Sequence, residues 1–158
     1  MASRLSLSQA AGIVDAALER ARRLDHQPLS VVVLDAGGHV LVAEHEPGTG
    51  ILMTDFAHAK AWGPLGLGRG GGRLASHADR DPLYIPVMAS VSGGRVTGSR
   101  GGVLIRTAGG EIVGSVGVSG DHADENDACA VHAIEQAGFV ADAGRGDRPW
   151  TGAAPELP

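Results

Sequence analysis

The chain has 158 residues and a mass of 16.0 kDa, 43% of its residues are hydrophobic, and its formal net charge is −5. That is the size of one domain with its own core, and thirteen scattered Lys and Arg form no basic face for nucleic acid or anionic lipid. No run approaches the roughly eighteen apolar residues of a membrane span and no signal-peptide pattern opens the chain, so a soluble, cytoplasmic protein is expected.

In chain order, Leu7, Ala11, Val14, Leu18, Ala21 and Leu24 recur at spacings of three and four, which predicts a helix over 7–24 capped by Ser6 or Ser8 and barred from continuing by Pro28. The stretch SVVVLDAGGHVLVAEHE holds two β-branched runs joined by Asp35-Ala36-Gly37-Gly38 and predicts a hairpin. TGILMTDFAHAKAW predicts a second helix capped at Thr49 or Thr54, with Asp55, His58 and Trp62 on one face and Gly63-Pro64 bending or breaking it. The following GLGRGGGRL is too glycine-rich for regular structure. It resembles a phosphate loop only in glycine content, because the Gly-Lys-Ser/Thr ending is absent.

PLYIPVMASV then predicts a strand over 85–91, closed by Ser92-Gly93-Gly94. A second hairpin follows, its AGGEIVG at 108–114 echoing AGGHVLV at 36–42. Gly101 and Gly102 lead into it, and Gly114, Gly117 and Gly120 recur within it. Glycine inside a strand marks a close approach, so these positions face either a packed helix or a bound planar molecule. Asp121 is the expected N-cap of a last helix, with Asp124, Glu125 and Asp127 in its first turns, where carboxylates meet the positive end of the dipole, and Gly138 as its stop. Residues 1–144 read as one domain and 145–158 as a loosely ordered tail.

Chemistry-bearing residues are few. The single cysteine, Cys129, excludes an intrachain disulfide and reads as a small buried residue. Of seven histidines, His39 reads as a solvated turn residue and His26 as a helix-end residue, whereas His58 and His77 flank the glycine-rich section. No HExxH, HxH or paired Cys motif indicates a dedicated metal site. Lys60 in AHAKA, beside apolar walls, is a candidate for acid–base work with His58. Arg100 and Arg106 are candidates for holding a carboxylate, with Trp62, His77 and the Gly101-Gly102 pair beside them. Lys60 snorkelling to the surface, or pairing with Asp55 or Asp79, is the structural alternative.

SVVVLDAGGHVLVAEHE, AHAKA, SGGRVTGSRGGVLI and GEIVGSVGVSG followed by acidic residues together resemble the GlcG/HbpS family, also called the haem-degrading or DUF336 family, over about residues 5–138. The resemblance implies a profilin-like α+β fold, a five-stranded antiparallel sheet with helices on its faces, commonly assembled as homo-oligomers. It implies a ligand pocket, with haem as a possible cofactor, more strongly than a named reaction. Three departures fall where that pocket is expected: Trp62-Gly63-Pro64 after AHAKA, Leu104 in place of the usual proline, and the glycine run at 70–72. Two readings follow. One is an oligomeric haem- or small-ligand-binding accessory protein in small-molecule metabolism. The other is a cofactor-free enzyme acting on a small organic acid or aromatic intermediate. Both place His58, Lys60, Arg100, Gly101, Gly102 and Arg106 around one cleft beside the second hairpin.

Overall fold

The computed structural model describes residues 4–145, so all but the first residue of the expected tail lies outside them. The elements are α1 (Leu7–Arg23), β1 (Ser30–Asp35), β2 (Val40–His45), α2 (Met53–Leu67), α3 (Gly71–Arg80), α4 (Tyr84–Ser92), β3 (Gly102–Arg106), β4 (Ile112–Ser119), α5 (Ala123–Gln136) and β5 (Val140–Asp142). The strands form one antiparallel sheet in the order β2-β1-β4-β3-β5.

Side-chain alternation along β1 sorts the core into two layers. Val31 and Val33 point to the face covered by α1 and α5, where Ile13, Val14, Ala130 and Ile134 close the larger cluster. Val32 and Leu34 point to the other face, where Ala57, Ala61, Trp62 and Leu65 of α2 cover them. Ser6 caps α1 in a reciprocal box: the Gln9 N–H donates to Ser6 Oγ at 3.1 Å and the Ser6 N–H to Gln9 Oε1 at 2.9 Å. The buried stripe of α1 runs through Ala10, Ile13, Val14, Ala17 and Ala21, about one residue round from the expected one, which leaves Leu7 and Leu24 exposed. The helix ends before Pro28, at Arg23, where Asp25 turns the chain out with φ 56°.

Four expectations are corrected. First, Gly63-Pro64 does not end α2, which runs on to Leu67. Pro64 removes the N–H that would have met the Lys60 carbonyl, and that carbonyl instead abuts Gly102, where a methyl group would come within 1.8 Å of it.

Second, the glycine run is regular structure: Gly71 and Gly72 open α3. A Cβ on Gly70 would lie 2.2 Å from the Gly144 nitrogen, so the run lets α3 start against the chain leaving β5.

Third, residues 85–91 belong to helix α4, and the fifth strand is β5. The Asp81 carboxylate accepts the Leu83 N–H at 3.1 Å and starts the turn, Pro86 falls in the first helical turn where its missing N–H costs nothing, and Gly93 ends the helix at φ 68°. With no strand alongside to pair with, the β-branched residues of this stretch followed the local turn signals instead.

Fourth, the N-cap of α5 is His122, one residue beyond Asp121. Asp121 accepts the Gln27 N–H at 2.8 Å and so ties the α1–β1 connection to this helix start.

Candidate functional site

The second hairpin carries its glycines because α2 lies directly on it. Gly102 and Gly117 are register partners on β3 and β4, and a methyl on either would come within 1.8 Å of a carbonyl oxygen of α2, Lys60 O or Ala57 O respectively. Of the two expected neighbours, the packed helix occupies this surface.

That close approach buries Lys60, which is 4% exposed. Its Nζ donates to Val118 O at 3.0 Å and lies 3.4 Å from Ser119 Oγ and 5.8 Å from the Phe56 ring centre. Desolvation of the charged amine lowers the Lys60 pKa to about 8, opposed by the negative charge of Asp127.

Asp127 is the residue that sequence reasoning missed. Read as one more carboxylate at a helix start, its side chain is 0% exposed. Its Oδ1 accepts the Gly101 N–H at 2.8 Å, and its Oδ2 lies 3.1 Å from Arg145 Nη2 and 4.0 Å from Arg100 Nη1. Arg100 also pairs with Asp124. Gly101 itself sits at φ 120°, with room for neither a methyl beside Val118 O nor one beside the Lys60 stem. The only advance signal was the three-residue step from Asp124 to Asp127, which places both carboxylates on one side of α5.

Arg100 and Arg145 face a cleft of about 380 Å³ whose other wall is α3, with Ala75, Ser76 and Asp79. A second cleft, of about 180 Å³, continues past Gly144 to Arg69 and Arg73. Guanidinium groups along such a cleft suit a carboxylate or another small anion. Neither cleft has an imidazole or thiolate in its lining among the described residues.

Arg100, Gly101, Gly102 and Lys60 are therefore neighbours, as expected. His58 and Arg106 are not with them. His58 is half-buried on α2 two residues from Lys60, which turns it roughly 200° around the helix. Arg106 ends β3, roughly 13 Å along the strand from Gly102. There its Nε and Nη2 each lie 2.9 Å from Asp142 Oδ2, and its Nη1 donates to Gly110 O at 2.9 Å, which ties β5 and the hairpin turn to β3. Trp62 covers the first hairpin at Gly38 and stacks with the Arg95 guanidinium at 4.2 Å from the ring centre. His77 stacks on Tyr84 at 3.8 Å and joins α3 to α4. Lys60 Nζ is held by Val118 O rather than by Asp55 or Asp79, and its buried side chain does not reach the surface.

A polar row crosses the α2 face at the same sheet end: His45, Ser30 and Ser119 are register partners on β2, β1 and β4. Ser30 Oγ lies 2.8 Å from His45 Nδ1 and 3.2 Å from Thr54 Oγ1. Among the described residues no group of three or more His, Cys, Asp or Glu side chains is arranged to hold a metal ion, and no helix is long and apolar enough to cross a membrane.

The sheet order, the helices on both faces and the charged cleft at one sheet end define a profilin-like α+β domain. The chain belongs to the HbpS-like family, whose model, described as haem degrading protein HbpS-like, matches residues 5–135.

Among solved structures, a PduOC–haem complex shares 26% identity over 87% of this chain and 97% of that one, with a TM-score of 0.77. The Klebsiella pneumoniae protein ORFY, of DUF336, shares 21% over 87% and 94%, with a TM-score of 0.78. A double mutant of HbpS from Streptomyces reticuli shares 23% over 86% and 88%, with a TM-score of 0.74. At these identities the last two speak for the fold alone. No curated protein matches the chain significantly.

Proposed function

We propose that this protein is a haem- or small-ligand-binding member of its family, a cytoplasmic homo-oligomeric accessory protein of small-molecule metabolism. The observation that carries the reading is the Arg100–Arg145 cleft, in an otherwise acidic protein, backed by the buried Asp127 carboxylate that lies against both guanidinium groups. Arg100 holds a ligand carboxylate there, and Asp127 sets the direction of both guanidinium groups. Gly101 and Gly102 contribute by letting the helix and the strand meet beside the cleft. Trp62, His77 and Arg106, also expected from the sequence at the ligand, are engaged elsewhere. Their contacts to Arg95, Tyr84 and Asp142 mean that each would have to exchange an internal partner for it.

Haem meets this cleft in part. Its propionates match the two arginines, whereas the lining supplies no imidazole or thiolate for the iron among the described residues. Haem, where bound, supplies a redox-active iron; the residues of this cleft supply charge and hydrogen bonds only. Titration with ferric haem, followed by absorbance, tests the reading. A sharp band saturating near one equivalent per chain supports haem binding, and broad absorption without saturation overturns it. For a smaller carboxylate ligand, Arg100→Ala should weaken binding by the worth of a charge-assisted hydrogen bond, roughly 1.5–3 kcal/mol.

One observation favours the enzymatic reading. An amine titrating near 8 in an apolar setting is a ready proton acceptor, so Lys60 is the residue that would move a proton in a cofactor-free reaction on a small organic acid or aromatic intermediate. His58, on the far side of α2, would serve such a reaction only from a second surface.

Assembly rests on α4. Residues 82–94 carry no charge, and Leu83, Val87 and Val91 recur every four residues on one side while staying 70%, 50% and 82% exposed. A second copy of the chain is the occupant we propose for that face. Light scattering at micromolar concentration should find oligomers that Val87→Glu dissociates; a monomeric wild type removes the proposal.

A further inference from the structure

The two clefts beside α3 differ in charge, and the difference lies in which guanidinium groups already have a partner. In the larger cleft Arg100 lies against Asp124 and Asp127, and Asp79 of α3 adds a further carboxylate to the lining. In the smaller one Arg69, Arg73 and Arg145 stand against a single acid, Asp142. Both oxygens of Asp142 are in use: Oδ2 lies 2.9 Å from Arg106 Nε, and Oδ1 accepts the Gly144 N–H at 3.0 Å. Arg69, on the α2–α3 connection, is half-buried, and among the described residues none is hydrogen-bonded or ion-paired to its guanidinium. A partly desolvated cation without a counter-charge favours an anion from outside.

The clefts meet at Gly144 and Arg145, which line both of them. Gly144 turns the chain there at φ 71°, and a Cβ on it would lie 2.4 Å from Gly70 O, so the chain leaving β5 crosses directly over the start of α3. Gly72, Ala75, Ser76 and Asp79, at spacings of three and four, form the stripe of that helix that lines the larger cleft. Gly70 and Arg73, at the helix start, line the smaller one. At about 180 Å³ it holds roughly six water volumes of about 30 Å³ each, ample for one acid group.

The geometry points to a second anion subsite at Arg69 and Arg73, so that the ligand is a small acid with two anionic ends, one held by Arg100 and the other by Arg69, with Arg145 between them. This rests on the small-ligand reading of the Arg100 cleft and narrows it. A monoacid fills one half of the site and leaves Arg69 without its counter-charge. A second acid group gains charge-assisted contacts from guanidinium forks that match either a carboxylate or a phosphate. Between the two ends, Ser76 and Asp79 give the larger cleft a polar wall that suits hydroxyl groups on the connecting carbons. GLGRGGGRL is thus no phosphate loop in the backbone sense: its glycines admit the chain leaving β5, and its two arginines carry the charge.

The test is calorimetric titration of the full chain with acetate, the straight-chain dicarboxylates from malonate to adipate, and phosphonoacetate, with the folding of each variant checked by circular dichroism. The best two-ended acid should bind roughly 10- to 100-fold tighter than acetate, the gain of a further charge-assisted hydrogen bond. Whether a dicarboxylate or phosphonoacetate leads tells carboxylate from phosphate at the second end. Arg69→Ala strands no partner among the described residues and should erase that ratio, and Arg69→Lys, which keeps the charge without the fork, should recover part of it. Arg23→Ala removes the same charge from the exposed last turn of α1 and should leave the ratio intact. If two-ended acids bind no tighter than acetate, or if Arg69→Ala keeps the ratio, the second subsite is overturned, while weaker acetate binding in Arg100→Ala leaves the Arg100 reading standing. If no acid binds saturably, both fall.

Discussion

Gly102 lies against Lys60 backbone to backbone: a single added methyl on the glycine would come within 1.8 Å of the lysine carbonyl oxygen. The contact joins helix α2 to strand β3 at the point where Pro64 frees that carbonyl from the helix, and it holds the Lys60 side chain out of water.

Gly102→Ala should therefore lift α2 from the sheet and destabilise the fold. Inserting extra carbon into a packed core typically costs about 1–3 kcal/mol, and here the obstacle is backbone, so the upper end is expected in urea unfolding. Gly12→Ala is the matched control. Gly12 lies exposed within α1, a methyl there meets nothing within 4 Å, and removing a helical glycine should stabilise by about 0.5–1 kcal/mol.

The buried amine predicts a pH dependence. Lys60 titrates near 8 in the folded protein, against 10.5 for the ordinary side chain. Between these values the unfolded chain binds the additional proton, so this group makes stability rise as pH goes from 8 to 10.5. Below pH 8 the cost of holding the charged amine is fully present, at about 3 kcal/mol. Lys60→Met should flatten the stability profile over that window in urea melts at stepped pH. An identical slope in wild type and variant would show that the amine is solvated.

Asp127 is expected to be the most sensitive charged position. Truncation to Ala leaves the Gly101 N–H, Arg145 and Arg100 without their shared acceptor, and breaking a buried ionic group of this kind costs about 3–5 kcal/mol. Asp127→Asn should retain the Gly101 bond and lose less. It should also lower the Lys60 pKa further, since the carboxylate is the group raising it, and proton titration of that amine by NMR would read the change.

Arg106 distinguishes a structural from a ligand-binding role. Committed to Asp142 and Gly110, Arg106→Ala should loosen β5, raising amide exchange at Val140–Asp142 and costing about 1 kcal/mol at this partly exposed position. Ligand affinity should stay within twofold. A tenfold loss would place Arg106 at the ligand.

Local pattern alone was sufficient for the family and for much of the fold. The first hairpin, with Asp35 accepting from Gly37 and His39, needs only turn chemistry and alternating β-branched residues. The helix at 7–23 needs only periodicity and its Ser6 cap, and the one at 123–136 only periodicity and the stop at Gly138. Lys60 and the Gly101-Gly102 pair stood out for the same reason, being unusual residue types for their local pattern.

Tertiary structure decided whatever depends on partners far along the chain. YIPVMASV has the composition of a strand, yet it is helical because no neighbouring strand offers it hydrogen bonds while Asp81 and Gly93 supply both ends of a helix. The three residues at 140–142 are a strand only because β3 lies beside them with Arg106 reaching Asp142. Asp127 looks like any acidic residue at a helix start until Gly101, Arg100 and Arg145 converge on it. Burial and charge pairing are properties of the assembled surfaces, and no window of sequence contains both partners.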